Sequence, residues 1–574
     1  MILKIIRLLN TLKYLKFRQF CFFILRRKFP ATVIRVPNLL PDANQLSLVD
    51  PIATSHRVES TNAIQFLNHS RTFELSAIDW CPVHTQRLWR YNLHYFDYLR
   101  DPAWSVEEKF SMINSWIANN KQSTQPGWEP FTCSLRLVNW LFFLNKNKQC
   151  MTSEVQRSVY EQVLWLERND EQHILANHYF ENIKALLFSG CFFFNSDNKD
   201  VNVSRWLKRS KQAVIQQLKE QTLADGGHYE RSPQYHALML ENYLDIYNLA
   251  INNLTIFDGD FISELKRYSV LSLNWLNDII FPDNNIPLFN DSAFGVSPSL
   301  EKLNQYANQL FAYEYQEQVR PLTTIEKHDS GLYGLRSSDD MLLMDCGDIG
   351  PSYQPGHTHC DFLSYELMLG GKRLVVDTGV FEYEPGPLRY YVRSTQAHNT
   401  VSIDGDEQSE IWGEFRVARR AKKLDAQVCA VDDRVSITGA YSGFYGSPIC
   451  FDGVITGWKP RFKHQRDINV KLVKDAVESI EVVDTLSGKG EHEAESYIHI
   501  HPDFVLESID EKNIKILLDG VIFAKLEINT DCQYRIEKTI YCPEFGVKHD
   551  IDCIVIYRQG FMPLNLGYRI QRFI

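Results

Sequence analysis

The twelve cysteines include no C-x-x-C pair, so the chain carries no readable zinc ribbon or dithiol redox motif. Over 574 residues they are also too sparse for a disulfide scaffold, and mostly reduced, buried thiols are expected. An excess of positive charge is missing too. The formal net charge of −10 excludes nucleic acid as a partner of the chain as a whole, so an acidic ligand would need a local basic patch. Long apolar runs are absent: Phe20–Leu25 is too short to span a bilayer. No small-residue cleavage site follows it, so a cleavable secretory signal is not expected. Nor is there a repeat strict enough for a solenoid.

The first thirty residues do carry charge of one sign. Lys4, Arg7, Lys13, Lys16, Arg18, Arg26, Arg27 and Lys28 stand there without a single acid. Two readings follow: a basic amphipathic helix on an anionic membrane surface, or a helix packed on the main domain with its basic face solvated. Apolar content of 44% supplies more than one core, and the length predicts two or more domains. Aromatic content of 13% supplies core residues first and stacking surfaces for sugars second.

Residues 35–75 read as a polar connecting arm punctuated by Pro37, Pro41 and Pro51. From Leu88 to Tyr313 the apolar residues keep a helical period, as in Leu240, Tyr243, Leu244, Tyr247 and Ile251. Leu135–Leu144 is apolar nearly all round and predicts a buried helix. Near Ser330 the period changes to short β-type runs, among them Met341–Asp345, Arg373–Asp377, Ser479–Asp484, Tyr497–His501, Ile514–Leu518 and Cys553–Tyr557. Regular short strands without helices between them predict an antiparallel sandwich.

The densest chemistry lies in Tyr353–Ile403, which holds His357, His359, Asp361, Asp377 and His398. On an extended backbone, His357 and His359 would point to one face of a sheet. Histidines with a carboxylate on neighbouring strands can hold a divalent metal such as zinc, or form a hydrogen-bonded polar cluster. Two further clusters sit at predicted helix starts, Asn177–Asn182 and His228–His236. Pro233 suits the first turn of the helix carrying Tyr235, where the helix field favours the phenolate. A core tyrosine with a satisfied hydroxyl is the other reading.

The ordered pieces Asn177-His178, Ser232-Pro-Gln-Tyr-His236, Gly356-His-Thr-His359, Val376-Asp-Thr-Gly379 and Ala397-His-Asn-Thr400 resemble the heparinase II/III family of polysaccharide lyases, from about Leu88 onward. The resemblance implies an α+β multidomain chain in which an incomplete (α/α) toroid is followed by an antiparallel β-sandwich. The expected division is a basic segment 1–34, a toroid 35–325 and a sandwich 326–574. It implies β-elimination on a uronic-acid polysaccharide, with Asn177 neutralising the substrate carboxylate and His178 beside it, Tyr235 as proton donor to the leaving oxygen and in some geometries also the acceptor of the C5 proton, and His357 as the alternative base. It places a structural metal, zinc by preference, on His359, Asp377 and His398. Around that site Arg389 and Arg393 are candidates to bind an anionic sugar, and Tyr91, His94 and Trp128 to form a stacking wall. Arg416, Arg419 and Arg420 read as a solvated strand face, and His499 and His501 as exposed strand residues.

Two alternatives stay open: a uronyl C5-epimerase on a similar polymer, and a non-catalytic glycan-binding or assembly protein. A two-carboxylate hydrolase fits less well, because the candidate residues are His, Tyr and Asn rather than paired acids. The resemblance implies a periplasmic or cell-envelope address; the missing signal points instead to the cytoplasmic face of an inner membrane. The oligomeric state is not legible.

Overall fold

The computed structural model describes residues 2–28, 33–58, 61–75, 77–195, 200–315, 322–337, 339–444, 448–451, 454–458 and 461–573. Two short helices, Ile2–Leu12 and Phe17–Lys28, open the chain. An irregular arm follows and buries Ile34, Leu46 and Ile52.

The helical half runs from Arg87 to Phe311. Its helices pack as neighbours in space: Pro130–Lys146 against Ala176–Phe192, Ala176–Phe192 against Val201–Gln221, and Pro233–Ile251 against both Gly259–Ile279 and Leu300–Phe311. Pro130–Lys146 buries almost every side chain from Thr132 to Leu144, as its all-round apolar sequence requires. Helix starts are written in the sequence. Ser105 and Glu108 close a reciprocal capping box, and Thr152, Asp200, Ser232, Asp258 and Ser299 each accept a backbone N–H from the first turn.

The β half begins at Thr323. One nine-stranded antiparallel sheet runs in space as Gln533–Tyr541, His549–Phe561, Glu491–Ile500, Lys372–Val375, Tyr365–Leu369, Asp340–Asp345, Leu332–Ser337 and Thr323–Lys327, with Val401–Ile403 pairing onto Glu491–Ile500. The second sheet has eight strands, Lys422–Val431, Arg434–Phe444, Arg461–Val473, Ala476–Ser487, Leu564–Arg572, Val521–Ile528, Asn513–Leu518 and Phe504–Ser508. Strand Arg461–Val473 alternates buried and solvated side chains, the mark of a sheet with one face on a core. The inward residues of both sheets form one apolar cluster that includes Leu342, Leu367, Ile437, Ile468, Ile498 and Ile554. The period change near Ser330 is therefore the join between a helical half and a sandwich.

Candidate active site

A cleft of about 1500 Å³ opens between the halves. Asn177, His178, Tyr235 and His357 all line it, together with Tyr91, Tyr95, Asn242, Gln234, Tyr383 and Phe415.

Tyr235 is placed by its helix start. The Ser232 hydroxyl oxygen accepts the Tyr235 N–H at 3.2 Å, and the hydroxyl donates to the Asp291 carbonyl at 2.6 Å. The cap thus ties the Tyr235 helix to the loop after Gly259–Ile279. That loop is pinned in turn to the β half: Asp291 N–H donates to the His357 carbonyl at 3.0 Å, Asn290 N–H to Asp361 Oδ2 at 3.0 Å, and His359 N–H to Asn290 Oδ1 at 3.1 Å.

The Asp291 side chain is the hub of the site. Its Oδ2 bonds His357 Nδ1 at 2.9 Å, its Oδ1 bonds His359 Nε2 at 2.8 Å, and Arg389 forks onto it with Nη2 at 2.8 Å from Oδ2. It is fully buried. Burial alone would raise its pKa, but Arg389 and the two imidazoles hold it well below the usual carboxylate range. Asp291 is therefore a fixed anion, and it turns His357 so that Nε2 faces away from it. His357 Nε2 lies 3.7 Å from Glu230 Oε2. Glu230 is buried with neither carboxyl oxygen hydrogen-bonded among the described residues, and burial raises its pKa towards the neutral acid.

The Tyr235 ring stacks on the His357 imidazole with centroids 3.7 Å apart, and its hydroxyl meets that of Tyr383 at 3.3 Å. Burial raises the Tyr235 pKa, so the phenol stands protonated. On the opposite wall, His178 N–H donates to Asn177 Oδ1 at 2.9 Å, and the His178 ring lies on Phe131 with centroids 4.3 Å apart. Burial would lower the His178 pKa, but Glu171, 3.1 Å from Nδ1, outweighs it and the pKa is raised.

The second histidine cluster lies behind Asp291. His398 Nδ1 bonds Asp377 Oδ2 at 2.7 Å, and the His359 and His398 rings are 5.2 Å apart between centroids. His359 Nδ1, His398 Nε2 and His499 Nε2 are buried without a hydrogen-bond partner among the described residues. Unpaired buried ring nitrogens are costly and are the donors a zinc ion takes. Asp377 sits where a carboxylate orients a metal-binding imidazole through its far nitrogen. Among the described residues no three His, Cys, Asp or Glu groups yet close around one point. The ring nitrogens His359 Nδ1 and His398 Nε2 are the groups that would hold a divalent metal, and Asp377, expected as a ligand, instead bonds the far nitrogen of His398.

Several expectations are corrected. His357 and His359 lie on a loop, not a strand, although both imidazoles do reach one carboxylate. Arg389 and Arg393 do not reach the cleft. Both are buried, Arg389 on Asp291 and the Glu414 carbonyl, Arg393 on the carbonyls of Thr358 and Gly413. His94 is a core residue between the Trp80 carbonyl and Trp116 Nε1, and Trp128 packs on Trp116 and Trp165. Tyr91 does line the cleft, bound to Glu129. His499 is buried, held by Asn399 Oδ1 at 3.0 Å. Arg416 is exposed as expected, whereas Arg419 pairs with Glu410 and Arg420 lies over Tyr14 in the turn between the amino-terminal helices. Asp291 and Tyr383 had been assigned no role. Only the polar triplet Asn290-Asp291-Ser292 inside an otherwise apolar stretch could have signalled the first.

Residues 18–319 match the family model of the heparinase II/III N-terminus, and residues 321–559 that of the heparinase II/III-like C-terminal region. A heparin-sulfate lyase of Pedobacter heparinus is 24% identical over 308 residues, 48% of this chain and 44% of that protein. One of Bacteroides thetaiotaomicron is 24% identical over 340 residues, 52% of this chain and 48% of that protein. The matched region thus spans less than half the length of these curated relatives. Among solved structures, a heparinase III superposes with a TM-score of 0.65 at 15% identity, covering 96% of this chain and 88% of that one. The heparan sulfate lyase of Pedobacter heparinus superposes with a TM-score of 0.57 at 15% identity, covering 97% and 88%. The fold is therefore that of the heparinase III structures, and with both halves matched by its models the chain belongs to the heparinase II/III family.

Proposed function

We propose that the protein is a polysaccharide lyase that cleaves a uronic-acid polymer by β-elimination. The observation that carries this reading is the stack of Tyr235 on His357, with Asp291 fixing the far nitrogen of that histidine. The C5 proton of a uronate is α to a carboxylate and is barely acidic while that group is anionic. His178, whose raised pKa favours the imidazolium, and the Asn177 amide are suited to neutralise it. His357 Nε2 takes the C5 proton, because Nδ1 is committed to Asp291. The electron pair of the broken C5–H bond forms the C4–C5 double bond as the C4–O bond breaks. Tyr235, held protonated, gives its proton to the departing oxygen. A divalent metal on His359 and His398, with Asp377 orienting His398, would brace the loop that carries His357; no step of the elimination is assigned to it.

The cleft charge narrows the substrate. Its cations are mostly spent: Arg57 on Glu108 at 2.9 Å, Arg100 on Glu241 at 2.7 Å, Lys184 on Asp245 at 2.6 Å and Arg87 on Glu129 at 3.2 Å. Sulfate clusters would find few unpaired partners there, so the reading favours a polymer whose charge is carried by its carboxylates. The test is ultraviolet absorbance during incubation with unsulfated and heavily sulfated uronate polymers. Elimination creates a conjugated unsaturated uronate that absorbs; hydrolysis and epimerisation do not. A rise with the unsulfated polymers that Tyr235→Phe abolishes is expected. Deuterium entering C5 from solvent without absorbance or chain cleavage would replace the lyase by an epimerase, and turnover only of sulfated chains would overturn the charge argument.

A further inference from the structure

The two amino-terminal helices turn their polar side to the protein and their apolar side to solvent. In Ile2–Leu12, Ile5, Leu8, Leu9 and Leu12 form one stripe at helical spacing, and all are exposed, Leu9 by 59%. The face against the protein is polar instead: Arg7 Nε donates to Glu410 at 3.0 Å, and Thr11 Oγ1 accepts from Trp412 Nε1 at 3.1 Å. Phe17–Lys28 repeats the inversion. Phe17, Phe20, Phe23, Ile24 and Leu25 are exposed, Phe17 by 82%, while Gln19 is buried and its amide reaches the Ile174 and Tyr353 carbonyls.

A surface helix normally buries its apolar stripe, and an exposed cluster of this size rimmed by charge marks a surface that meets another phase or partner. The rim here has a single sign. Lys4, Lys13, Arg27 and Lys28 are exposed, and residues 2–28 contain no acid. We infer that this helical hairpin docks on an anionic lipid bilayer, its leucines and phenylalanines in the headgroup–acyl boundary and its cations on the lipid phosphates. A second copy of the chain is the poorer occupant, because two such faces would bring cations against cations. No helix of the described residues is long and apolar enough to cross a membrane, so the contact is interfacial. The hairpin also holds both halves of the protein. Arg7 and Thr11 bond the β half, and Arg18 and Arg26 bond Gln172 and the Asp170 carbonyl, a few residues before Asn177. Docking therefore tethers both halves to the bilayer surface.

The test is co-sedimentation of the full chain with vesicles of phosphatidylcholine alone and of phosphatidylcholine with phosphatidylglycerol. The chain is expected to pellet with the anionic vesicles only. Phe17→Ser/Phe20→Ser/Phe23→Ser is expected to weaken that binding about tenfold or more. Its thermal midpoint should not fall, because these rings are exposed. Failure of the full chain to pellet with anionic vesicles overturns the inference. So does a triple variant that binds as the parent does, or a lipid-free dimer that the triple variant abolishes. None of these outcomes depends on turnover, so the inference stands or falls apart from the lyase reading.

Discussion

Tyr235 and His357 lie face to face, 3.7 Å between ring centroids and 26° between planes, one side chain supplied by the helical half and the other by the β half. A proton donor and a proton acceptor on one face of a bound sugar suit an elimination in which both protons move on the same side. Tyr235→Phe keeps the stacked ring and removes only the hydroxyl. It is expected to lower kcat by about 10²–10⁴ with little change in KM or thermal stability, measured from the rate of unsaturated product formation.

Asp291 acts through His357 and is a positioning residue. Asp291→Asn would present an amide to His357 and leave Arg389 buried without its anion. A stability loss of roughly 3–5 kcal/mol is expected from the broken buried pair, read by denaturant unfolding. A purely structural role would stop there. The geometry predicts in addition a fall in kcat of about a hundredfold at unchanged KM in the fraction that remains folded.

The Glu171–His178 pair gives a pH dependence with a definite sign. Burial opposes the charged imidazole and Glu171 more than offsets it, so the folded pKa of His178 stands above its ordinary value. The stabilisation from this pair is complete below the unfolded pKa and is lost as pH rises through the folded one. The cationic help to the substrate carboxylate disappears over the same interval. Glu171→Gln is expected to move the His178 titration to lower pH, followed by ring-proton NMR, and to carry the alkaline limb of kcat/KM down with it.

His398 tests the metal. With His359 Nδ1 and His398 Nε2 buried and unpartnered, about one divalent ion per chain is expected on elemental analysis of protein purified without chelator. His398→Ala should lose that ion and lower the thermal midpoint, while His357→Ala should retain it. Absence of metal from a chain whose melting is indifferent to chelator would return the cluster to a hydrogen-bonded core.

Much of this was legible in the sequence, for physical reasons. The switch from helical to alternating periodicity near Ser330 marks the join, because the period follows from backbone geometry before any tertiary contact forms; the first strand of the β half starts at Thr323. The start of the Tyr235 helix was legible because Ser232 and Pro233 are local signals. What a side chain faces is not local. His94 and Trp128 turn inward because the helix of the first and the turn of the second pack on Trp116, and Arg389 looks like a ligand for anions until the loop carrying Asp291 comes to rest on it from about a hundred residues away. His499 was placed outside because alternation names two faces without telling which is covered; at that end of the strand both are.

The seam between the two halves runs through the stack of Tyr235 on His357, and the Asp291 N–H bond to the His357 carbonyl stitches it shut. Neither half therefore contains a competent set of proton carriers. Separately expressed halves would be inert, and only their reassociation would restore the pair. A tilt that parted the rings by one water diameter would separate the two proton carriers without disturbing a single strand or helix, so whatever sets the angle between the halves would also set the rate of the proposed elimination.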